Sequence, residues 1–65
     1  MTDLEKLKHL LKHWIEHNDA HVKTYNEWAE KADALGESDL SHIINEIADN
    51  SKKLDELFKK AIETF

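Results

Sequence analysis

Four of the five histidines fall at a fixed interval: His9, His13, His17 and His21 recur every fourth residue. On an α-helix, residues four apart face the same way, with Cβ atoms about 5–6 Å apart, so two imidazoles can reach one ion. The two histidines of an HExxH zinc helix use this geometry. One H-x-x-x-H pair recurs by chance, but three in succession point to capture of a transition-metal ion. Imidazole is a borderline ligand, suited to Ni²⁺, Zn²⁺, Co²⁺ or Cu²⁺. The chain has no cysteine, which removes thiolate sites.

Each four-residue step advances about 40° around a helix, so the stripe drifts from surface towards core. His9 is expected in solvent, His13 at the boundary, His17 beside the helix–helix seam and His21 inside it. The expected metal ligands are therefore His13, His17 and His21. His42 is remote in sequence and reads as surface or boundary. Asn18 shares the seam with His21, and Ser51, flanked by Asn50, interrupts the second helix's seam at a similar height. Buried polar groups need partners, and Asn18 or Asp55 could accept a ring N–H. The same layer has a metal-free reading, in which its Asn and His residues only set register in a homodimerisation or protein-interaction module.

These residues need long helices to position them. Thr2-Asp3-Leu4-Glu5 has the form of a capping box. Gly36 suits a left-handed position ending a helix, and Ser38 with Asp39 suits the start of another. The predicted elements are a helix over 3–35, a tight turn and a helix over 39–64. Asn18 and Asp19 could break the first helix. Positions 4, 7, 11, 14, 18, 21, 25, 28, 32 and 35, however, alternate steps of three and four without a slip, which predicts one continuous helix. The second seam is expected at 40, 44, 47, 51, 54, 58, 61 and 65, with Trp14, Tyr25 and Trp28 packed in the first.

The architecture expected is all-α: a two-helix antiparallel hairpin forming one domain over 1–65. Its apolar faces are wider than two helices can cover, which predicts dimerisation into a four-helix bundle. Leu10, Leu11, Trp14, Ile15, Leu57, Phe58 and Ile62 put surplus bulk at the open end, and an exposed patch of that kind is an expected homodimer interface. If the first helices pack antiparallel, a two-fold axis near residue 19 gathers four imidazoles from His17 and His21.

Composition excludes several classes. Fourteen acids against nine lysines leave a net charge of −5, so no basic stripe exists for nucleic acid. Lysines interleave with acids, which leaves little attraction to a membrane surface. No apolar run approaches the ~18 residues of a membrane span, and the charged N-terminal stretch does not read as a signal peptide, so a cytoplasmic protein is expected. Glu-x-x-His and HExxH are absent, which excludes ferritin-like di-iron and zincin chemistry. Bis-histidine haem stays open in a four-helix bundle but is disfavoured, with no C-x-x-C-H attachment motif present. Glu46, Asp49, Asp55 and Glu56 read mainly as a solvated face. No catalytic residue emerges, and the sequence points away from an enzyme.

The stretch His13-Trp14-Ile15-Glu16-His17-Asn18-Asp19-Ala20-His21, followed by Tyr25-Asn26-Glu27-Trp28-Ala29, resembles a family of small uncharacterised prokaryotic helical domains. Its signature is H-W-x-x-H-N-x-x-H, and some members occur alongside CooT-type nickel-binding proteins. The resemblance implies a shared role for His13, Trp14, His17, Asn18 and His21, tilts the metal towards nickel and implies a metal-handling protein as partner. His9 and His42 fall outside the signature.

Overall fold

A computed structural model describes residues 2–65. It is an antiparallel pair of helices, α1 (Asp3–Ala34) and α2 (Ser38–Glu63), forming a rod of 51 × 16 × 11 Å. The Thr2 hydroxyl accepts the Glu5 amide at 3.2 Å, which satisfies one of the free N–H groups at the start of α1. The helix then runs unbroken through Asn18 and Asp19.

The turn is a Schellman motif. Gly36 N donates to the Asp33 carbonyl at 3.0 Å and Glu37 N to the Ala32 carbonyl at 2.9 Å, with Gly36 at φ +84°. Glu37 both completes that motif and occupies the N-cap of α2, where it makes no side-chain cap. Ser38 is thus already helical, which corrects the expectation that it caps the second helix. The motif closes so tightly that α2 starts at once.

The seam differs from the expected one. Leu11, Val22, Ala29 and Ala32 are buried, with Ile15, Asn18 and Tyr25 half-buried, so α1 packs through 11, 15, 18, 22, 25, 29 and 32. The expected heptad shares 11, 18, 25 and 32 but takes 14, 21 and 28 in place of 15, 22 and 29. On α2 the packed positions are 41, 44, 48, 51, 55, 58 and 62. Side-chain size decides between the phases. Ala29, Ala32 and the fully buried Ala48 let the backbones approach, which Trp14, His21 and Trp28 would prevent.

Two cross-links fix the register. Asn18 Nδ2 donates to the Ser51 carbonyl at 2.7 Å, and the Ser41 hydroxyl donates to the Ala29 carbonyl at 2.7 Å. Ser41 is buried, so its hydroxyl needs this acceptor.

Packing through small residues leaves the large ones outside. Trp14 is 41% exposed, Trp28 54% and Leu57 60%, and Leu7, Leu10, Leu40, Ile43, Ile47 and Leu54 are also open. The solvent-accessible surface is 5160 Å², against about 4,300 Å² for a compact monomer of this mass. Helical-wheel positions put these residues on one side of the rod, beside the seam on both helices. No helix among the described residues is long and apolar enough to cross a membrane.

Candidate metal centre

The histidine stripe lies at the middle of that open face. His17 Nε2 and His21 Nε2 are 3.0 Å apart, with the rings perpendicular and their centroids 4.5 Å apart. The two rings line a groove of about 220 Å³ with Trp14, Asn18, Leu54 and Phe58. Trp14 meets Phe58 across it at 6.2 Å between centroids. His21 also stacks on Tyr25 at 5.9 Å.

The separation suits a shared ion. Two Zn–N bonds of about 2.0–2.1 Å, opened by roughly 90–110°, place their nitrogens about 3.0–3.4 Å apart. It equally suits one N–H···N hydrogen bond between neutral tautomers. The two exclude each other, because the hydrogen bond occupies the lone pair that the ion would take.

His21 is exposed, which corrects its expected place inside the seam; the packed position is Val22. His13 is exposed and stacks on His17 at 6.1 Å, while His9 lies farther out, beside Lys6, Leu10 and His13. Among the described residues no three His, Asp or Glu side chains are placed to hold one ion. One chain therefore offers the converging pair His17 and His21, with His13 a turn away.

The polar layer divides. Asn18 reaches the Ser51 backbone rather than its hydroxyl, and Asn50 is exposed. Asp55 is 7% exposed, which corrects its reading as part of a solvated face. Its Oδ2 lies 3.5 Å from Lys59 Nζ, and its buried Oδ1 has no hydrogen-bond partner. Asp19 faces it from α1. A hydrogen bond with Asp55 first, then desolvation, then the charge of Asp55 raise the Asp19 pKa above its ordinary 3.8, and Lys59 opposes this. The neighbours of Asp55 are thus Asp19 and Lys59, not an imidazole.

Of the residues expected at the dimer interface, Leu10, Trp14 and Leu57 lie open. Leu11 is buried in the hairpin's own seam, and Ile15, Phe58 and Ile62 are half-buried there. Sequence reasoning missed Leu54 in the groove and Ile43, Ile47 and Trp28 on the open face. Ile47, Leu54 and Trp28 fall at expected seam positions and Ile43 flanks them, so their spacing alone does not turn them outward.

Comparison with known proteins gives a family without an activity. The model of a domain of unknown function, DUF8180, matches residues 7–65, and the chain belongs to that family. An uncharacterised protein of Archaeoglobus fulgidus is 33% identical over 60 residues, covering 92% of this chain and 95% of the relative. No solved structure matches the chain.

Proposed function

We propose that this hairpin is a non-catalytic transition-metal-binding protein, with His17 and His21 as donors, that works as a homodimer closing into a four-helix bundle. The observation that carries the reading is the 3.0 Å convergence of two Nε2 atoms on an otherwise apolar face. Neutral imidazole donors favour nickel, zinc or cobalt over hard cations. The H-W-x-x-H-N-x-x-H resemblance tilts the choice to nickel and the partner to a metal-handling protein. His13, the third expected ligand, stacks on His17 a turn away and is a reserve donor beside the converging pair. The open face, rich in Trp, Leu and Ile, is the surface the second copy covers.

The test is calorimetric titration of tag-free protein with nickel, zinc and cobalt. Binding is expected in the native chain and lost in the His17→Ala, His21→Ala double variant. Identical heats from both proteins would sink the reading. A second reading rests on the Asn18–Ser51 bond at 2.7 Å and on a hydrogen bond between the two imidazoles. In it the hairpin is a metal-free dimerisation module, and the same titration gives no heat while the dimer persists.

A further inference from the structure

The metal reading leaves the site short of ligands, since two nitrogens alone do not hold an ion and, among the described residues, no third donor converges on them in one chain. The open face supplies a second constraint, through its symmetry. The centre of α1 (Asp3–Ala34) falls between residues 18 and 19, and the centre of α2 (Ser38–Glu63) between 50 and 51. The Asn18–Ser51 hydrogen bond puts both centres at one level along the rod. A single two-fold axis across the rod at that level therefore reverses both helices onto themselves.

Reversal about that axis pairs six of the exposed apolar residues to within one position, whereas Leu7, Trp14 and Leu40 fall opposite Glu30, Lys23 and Ala61. On α2 it sets Ile47 opposite Leu54 and brings Ile43 to within one residue of Leu57. On α1 it brings Leu10 to within one residue of Trp28 and His17 to within one residue of His21. All six apolar residues are exposed in the isolated hairpin. This partial palindrome suits a face that meets its own reversed copy, and a face built for another protein has no need of it. The area also suffices, because a 51 × 16 Å side offers about 800 Å² per copy, the size of a standard interface.

We propose that two hairpins pack with α1 antiparallel on α1 and α2 antiparallel on α2, and that one metal ion on the two-fold axis is held by His17 and His21 of both copies. This rests on the metal reading and completes it. Four imidazoles give a closed shell with no position left for substrate. The ion is shared, so half of each ligand set belongs to the other chain, and burial of the apolar face encloses it.

Two measurements test the proposal. Titration with zinc chloride, with sedimentation to give the species, is expected to end at one metal per two chains in a dimer. The His17→Ala single variant is expected to lose about tenfold or more in affinity. Its helical circular dichroism should persist, because the residue is exposed. One metal per chain, or a metal-loaded monomer, overturns the shared site and leaves His17 and His21 as ligands. No uptake overturns both proposals.

The chain has no native cysteine, so a spin label at Lys6→Cys is unique. Thirteen residues from the axis on each side place the two labels about 40 Å apart. Packing about an axis parallel to the rod would put them at one height, under about 20 Å apart. The shorter distance overturns the arrangement.

Discussion

Asp19 and Asp55 show how residue types mislead when read one at a time. Asp55 was indistinguishable in sequence from Glu46, Asp49 and Glu56, because acids carry no mark of the face they occupy. Asp55 stands at a packed position, and a proton held by the neighbouring Asp19 would give its buried carboxylate the donor it lacks. The raised Asp19 pKa means that the folded chain holds this proton more tightly than the unfolded chain does. Stability therefore rises as pH falls through the native value towards 3.8, and the repulsion is fully present above it. Asp19→Asn removes the repulsion. It is expected to raise the urea midpoint at pH 7, by a margin that closes as pH falls to about 4. A margin independent of pH refutes the Asp19 proton. Asn18, by contrast, was legible as a layer-forming residue because an amide in an apolar stripe needs a partner. Only its acceptor, the Ser51 backbone, could not be read.

The helices themselves were largely legible, since caps and breakers act locally. Thr2, Gly36 and the lack of proline set limits that agree with the observed ones to within one residue. The packed face was not legible. Steps of three and four are satisfied by 11, 14, 18 and 21 and equally by 11, 15, 18 and 22. Side-chain bulk favours the first set through Trp14, although the second carries Ile15 and Val22 where the first has Trp14 and His21. Close approach of two backbones favours the second, which leads to Ala29, and close approach prevails. The hinge gives the sharpest prediction for an element. Gly36 sits at φ +84° with nothing within 4 Å of an added Cβ, so Gly36→Ala meets only backbone strain. The cost is about 1 kcal/mol, or roughly 4–8 °C in melting temperature for a chain of this size. An unchanged midpoint would mean that the hinge tolerates another conformation.

At the scale of the whole molecule, the isolated hairpin has too little interior. Among the described residues the buried apolar ones are Leu11, Val22, Ala29, Ala32 and Ala48, and no large side chain is fully buried. Three of the five are alanines, whose burial contributes little beside the ordering of about sixty residues. The sequence already implied this, with faces too wide for two helices; what it lacked was which residues face outward. If the second copy supplies the missing core, folding and association are one equilibrium. The melting temperature must then rise with protein concentration, each tenfold step adding about 1.4 kcal/mol to dimer stability. Ile47→Lys places a charge on the outward face without touching the hairpin seam. It is expected to give a monomer that melts lower, at a temperature independent of concentration. Asp49→Lys, also exposed but outside the apolar face, is the control and should remain a dimer. A native midpoint that stays flat over a hundredfold range of concentration would show that the hairpin stands alone, and the open face would then lose its explanation as a self-interface.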